Sequence, residues 1–120
     1  MDWQSQFQAE IKKAYQARGR GNEGQARVCA RRAAGIAARE YFSRQGQVVG
    51  TQSAYDVLNL LIEDQSLHDE LRQAAKFLTM RVNEKFKLPV DVDLVAEAEK
   101  LCAGLFLDKN DPVSRERSDR

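Results

Sequence analysis

Apolar residues recur every three or four positions along most of the chain, the spacing of a helix with one buried face. In "DWQSQFQAEIKKAYQAR" the apolar positions are Trp3, Phe7, Ile11 and the Ala14/Tyr15 pair. Asp2 stands where an N-cap is needed. Three glycines within "GRGNEG", residues 19–24, interrupt the pattern and predict a turn, with a second helix starting near Glu23. Helices joined by so short a loop pack antiparallel.

The second helix carries "RVCARRAAGIAAREYF", residues 27–42. At 3.6 residues per turn Ala26, Cys29, Ala30, Ala33, Ala34, Ile36, Ala37 and Tyr41 share one arc, which predicts a buried face of small side chains. Arg27, Arg31, Arg32 and Arg39 fall on the opposite side together with Val28, Gly35, Ala38 and Phe42. That face is expected to point outward. Glu40 lies inside the apolar arc, and Arg44, one turn on, is its natural ion-pair partner.

The stretch 43–52 reads as the main loop of the domain. "SAYD" from Ser53 has capping-box spacing and opens a third helix with Tyr55, Leu58, Leu61 and Ile62 inward. A second Ser-x-x-Asp, "SLHD", opens a fourth helix expected to run through "ELRQAAKFLTMRVNEKF", with Leu67, Leu71, Ala74/Ala75, Leu78 and Val82 on one face. Pro89 ends it by driving Leu88 out of helical geometry. Asp91 or Asp93 then caps a fifth helix whose inward residues are Leu94/Val95, Ala98, Leu101/Cys102 and Leu105. The sequence therefore predicts an all-α, antiparallel up-and-down bundle of about five helices. It forms a single domain over residues 1–107, followed by a charged, disordered tail at 108–120.

The net charge of +1 conceals an uneven distribution. Residues 1–50 hold 9 Lys/Arg and 4 Asp/Glu, or +5, and residues 51–120 hold 10 and 14, or −4. The halves should attract one another, yet the basic half alone offers a positive surface. Cys29 and Cys102 lie in apolar helical stretches without a nearby Cys or His, as small buried hydrophobes of a reducing compartment do. No signal-peptide pattern and no membrane-length apolar run is present, so a soluble cytoplasmic protein is expected.

Catalytic patterns are sparse. "GRGNEG" lacks both the preceding strand and the Lys-Ser/Thr ending of a phosphate loop. His68 is the only histidine and reads as a solvated first-turn residue beside Asp69 and Glu70. No His-x-x-x-His or Cys-x-x-Cys spacing suggests a metal, and no cofactor is expected. The polar cluster "RVNEKF", residues 81–86, sits at a predicted helix end.

Three passages together resemble the HEPN-domain family of small helical bundles, which usually dimerise. They are the Gly-rich turn into "EGQARVCARRAAGIAAREYF", the helix "ELRQAAKFLTMRVNEKFKLP" with its late Arg and proline turn, and the Ala-rich "DLVAEAEKLCAGLF". Many members of that family are metal-independent ribonucleases with an Arg, four to six residues, then a His. This chain departs from the motif. The positions after Arg81 hold Phe86, Lys87 and Leu88, those after Arg72 hold Phe77, Leu78 and Thr79, and those before His68 hold Leu61, Ile62 and Glu63. Only Arg81 matches the motif's arginine, and an arginine without a proton-transfer partner binds phosphate but is a poor catalyst.

The resemblance implies a dimer associated with a nucleotide, RNA or a protein partner such as a nucleotidyltransferase, in the manner of a toxin–antitoxin pair. The expected anion contacts are Arg27, Arg31, Arg32, Arg39 and Arg81. The expected subunit contacts are Val28, Gly35 and Phe42, with Ala38 beside them. A protein-interaction subunit with no nucleic-acid role is the alternative, and a degenerate ribonuclease the third reading.

Overall fold

The computed structural model describes residues 2–81 and 91–110, the last four by their backbone alone. Five helices follow one another, α1 (Trp3–Gly19), α2 (Glu23–Arg44), α3 (Ala54–Ile62), α4 (Asp69–Thr79) and α5 (Leu94–Asn110), and no strand occurs among the described residues. This is the small all-α bundle that the apolar periodicity predicts.

Local chemistry sets most of the boundaries. Asp2 accepts a hydrogen bond from the Ser5 N–H at 2.7 Å, and Asn22 accepts one from Gln25 at 3.0 Å. Each leaves one fewer orphan donor at a helix start. α1 and α2 end alike, with a left-handed glycine, Gly21 (φ 78°) or Gly46 (φ 79°), one residue past the cap. Across those turns the Asn22 N–H donates to the Ala17 carbonyl and the Gln47 N–H to the Phe42 carbonyl, closing Schellman motifs that need a glycine there. At α3 the capping box works through a third residue. Ser53 Oγ accepts from the Asp56 N–H, Thr51 Oγ1 accepts from the Ser53 N–H, and the Thr51 hydroxyl donates to the Asp56 carboxylate.

α4 differs from its predicted course at both ends. It starts at Asp69, with His68 as an N-cap that makes no side-chain capping bond, because Ser66 turns back to Asp64 instead. It ends at Thr79, with Met80 already extended. The reason is tertiary. The Arg31 guanidinium on α2 donates to the Leu78 and Met80 carbonyls at 2.6 and 3.2 Å, meeting acceptors that a longer helix would have used internally. Val82, the turn at 87–89 and most of the cluster at 81–86 lie outside the described residues, as does the expected tail from residue 111. α5 runs to Asn110, past the domain limit drawn at 107, and is capped by Asp93, which accepts from the Val95 and Ala96 N–H groups.

α2 is the central helix and packs against each of the other four. Ala26, Ala30, Ala33, Ala34, Ala37 and Ala38 are fully buried along it. Alanines at a contact let helix axes approach to about 8 Å, the short end of the usual range. Gly35, Ala38 and Phe42 were expected on the outer face, but all three are buried. The correction comes from α3. A Cβ at Gly35 would sit 3.0 Å from the Ala54 Cβ, so α3 docks on the side of α2 that one amphipathic arc leaves open. Phe42 meets Tyr41 edge-on, with ring centroids 5.3 Å apart.

The contacts also fix helix directions. Ala54 and Tyr55 at the start of α3 face Gly35 and Arg31, while the Tyr41 hydroxyl donates to Asp64 just past its end. Hence α3 runs in the same general sense as α2, which the connection at 45–53 is long enough to allow, so the expected antiparallel up-and-down order breaks at this pair. α4 returns antiparallel, its end against Arg31 and its first turn, through Arg72, against the Ile62 carbonyl. α5 lies antiparallel to α1, joined by Arg18–Asp93 at one end and by Trp3 on Phe106, 4.6 Å between centroids, at the other. The Glu40–Arg44 ion pair forms as expected, at 3.0 Å, with Arg44 also over the Phe106 ring.

A candidate anion-binding furrow on α2

Arg27, Arg31, Gly35 and Arg39 are spaced four residues apart and so form one ridge along α2. Gly35 is where the ridge is interrupted to admit Ala54. On either side of the Arg31–Tyr55 contact lies a recess, and the two share Val28, Arg31 and Tyr55 as lining. The first, about 610 Å³, adds Arg32, Ile36, Arg39 and, from α1, Glu10. The second, about 520 Å³, adds Glu23, Gly24, Arg27 and Arg81. All five arginines singled out in the sequence therefore face one furrow, floored by α2 and flanked by α1 and α3.

The five are not equivalent. Arg31 is half-buried and spends its Nε and Nη2 donors on the α4 carbonyls, and its guanidinium lies 4.6 Å from the Tyr55 ring centroid. Burial pushes its pKa down, and the nearby Arg81 and Arg27 charges push it further the same way. Arg39 holds the approach to α3, donating from Nε to the Thr51 carbonyl at 3.4 Å and from Nη2 to the Gln52 carbonyl. Arg81 lies over the same Tyr55 ring at 4.3 Å. A cation over an aromatic face gains about 0.5–2 kcal/mol, so Tyr55 sets the position of two guanidiniums without neutralising either.

Arg27, Arg32 and Arg81 make no hydrogen bond among the described residues, and the Arg27 Nε is buried without a partner. None of the five arginines is in an ion pair among the described residues. The expected attraction between the halves is made elsewhere. Arg18 binds both Glu23 oxygens, at 3.0 and 2.7 Å, and reaches Asp93 at 3.0 Å, tying α1, α2 and α5 together. Glu23 thus lines the second recess already paired. Glu10 lines the first with one carboxylate oxygen buried and unpartnered, the other 3.7 Å from Lys13.

Of the expected subunit contacts, only Val28 keeps an accessible position, half-buried in the furrow floor. Tyr55, expected in the core, is instead a wall of the furrow, and Glu10 was not singled out. The signal for Tyr55 in the chain is its residue type, an apolar ring with a polar hydroxyl that suits a position with one end in water. His68 and Arg81 lie at opposite ends of α4, separated by roughly 16 Å of helix. No group of His, Cys, Asp and Glu able to hold a metal occurs among the described residues, and both cysteines are free. No described helix is long and apolar enough to cross a membrane. Comparison with family models, with curated proteins and with solved structures gives no match.

Proposed function

We propose that this is a cytoplasmic, HEPN-like, non-catalytic helical protein that dimerises and uses the α2 furrow to bind the phosphates of a nucleotide or RNA. The observation that carries the reading is five arginines on one concave surface with no carboxylate partner among the described residues. Guanidinium groups match phosphate oxygens in pairs, and unpaired ones bind without first breaking an ion pair. Val28, Ile36 and Tyr55 supply apolar surface between the charges, which suits bases alternating with phosphates.

Fluorescence anisotropy of a short labelled RNA tests this. Affinity should fall with added salt at a slope of about −0.7 per phosphate contacted, and Arg27→Glu or Arg32→Glu should weaken it while leaving the fold intact. Arg31 is the wrong residue for charge reversal, because it also caps α4. Binding indifferent to salt and to both substitutions overturns the reading. Capture of an acidic protein such as a nucleotidyltransferase by the same arginines, with no RNA binding, would favour the protein-partner alternative.

A further inference from the structure

The two recesses differ in what they offer an anion. The one beside α3's start is mixed, lined by Glu10 and Ile36 as well as by Arg32 and Arg39. The other is bounded by the first turn of α2 at Glu23 and Gly24, and gathers Arg27, Arg31 and Arg81 around Tyr55. Three guanidiniums share that space, two of them over one ring at 4.6 and 4.3 Å, and the buried Arg27 Nε has no acceptor. Glu23, the carboxylate among the described residues that lines this recess, is paired with Arg18. Like charges held this close repel one another unless an anion lies among them.

An internal phosphodiester carries one negative charge, whereas a phosphomonoester carries about −1.5 to −2 at neutral pH and three acceptor oxygens. The surplus of positive charge at the end of the furrow fits the second. We propose that the Arg27–Arg31–Arg81 recess is a terminal-phosphate site that takes the phosphomonoester end of a single-stranded nucleic acid. The chain then runs from it past Val28 and Ile36 toward Arg32 and Arg39. This inference rests on the furrow being a phosphate-binding surface, as proposed above, and adds which phosphate occupies the Arg27–Arg31–Arg81 recess.

The test compares one six-nucleotide RNA with a 5′-phosphate, with a 3′-phosphate and with hydroxyls at both ends, by competition against a labelled copy. One phosphorylated form should bind on the order of tenfold tighter than the hydroxyl form. That advantage should vanish in Arg27→Gln and Arg81→Gln, persist in Arg32→Gln, and shrink below about pH 6 as the monoester loses its second charge. Neither Arg27 nor Arg81 holds a backbone carbonyl among the described residues, so unchanged urea midpoints separate a lost contact from a lost fold. Equal affinity for all three RNAs overturns the terminal-phosphate site and leaves the furrow reading standing. An advantage that survives in both Gln variants does the same, and failure of every RNA to bind overturns both.

Discussion

Arg31 and Arg32 are neighbours in the chain with the same side chain and different work. Arg31 reaches the Leu78 and Met80 carbonyls at the end of α4, and Arg32 reaches none among the described residues. A hydrogen bond from a charged donor contributes about 1.5–3 kcal/mol, and a buried acceptor left bare costs a similar amount. Replacing Arg31 with Met should therefore lower stability by about 2 kcal/mol, whereas Arg32→Met should stay within about 0.5 kcal/mol of the parent. Urea unfolding of the two variants measures the contrast. Equal midpoints would mean that the α4 end is held by something other than Arg31. The same comparison explains why an arginine's identity alone does not assign it to a ligand.

Among the helices with a described start, α4 is the one whose cap makes no side-chain hydrogen bond. Its cap residue, His68, already has the extended backbone that a capping side chain requires, φ −61° and ψ 147°. Asn or Asp at such a position accepts a first-turn N–H and stabilises by about 0.5–1 kcal/mol. His68→Asn should raise the thermal midpoint accordingly, read by circular dichroism at 222 nm. Because His68 lies at the far end of α4 from the furrow, the substitution should leave RNA affinity unchanged. A loss of binding in this variant would place histidine chemistry back in the function.

For the molecule as a whole, the clamp around Arg18 couples folding to pH. Its hydrogen bond to Glu23 draws that carboxyl below the ordinary range, against some burial. At Asp93 burial pushes the carboxyl up, but Arg18 and the Ala96 and Val95 N–H groups outweigh it and the net direction is down. A carboxyl with a depressed folded pKa contributes its stability above its unfolded pKa and loses it as pH falls through the folded value. Stability should hold near neutrality and decline below about pH 4. Arg18→Gln should narrow the difference between urea midpoints at pH 7 and pH 3. Both carboxylates are well exposed, so solvent screening keeps the effect small. An unchanged pH dependence in the variant would assign the acid sensitivity to other carboxylates.

What the sequence alone determined is what short-range chemistry decides. The breaks at Gly21 and Gly46 and the caps at Asp2 and Ser53 involve groups within about six residues of one another, and the cap of α5 was narrowed to Asp91 or Asp93. The inward residues of α5 and most of those of α2 follow from the period of one helix against one core. Arg27, Arg31, Arg32 and Arg39 were legible as a set, because they lie on one side of α2, whereas Arg81 was named through the family resemblance. Only the tertiary structure decided that α4 stops at Thr79, since the donor that stops it comes from residue 31. Only it buried Gly35, Ala38 and Phe42, because α2 has neighbours on more than one side and a single apolar arc describes only one of them. It also divided the arginines into two that hold backbone carbonyls, Arg31 and Arg39, and three that make no such bond among the described residues. The physical reason is common to all three cases: a hydrogen bond or a packing contact between distant residues leaves no period in the chain.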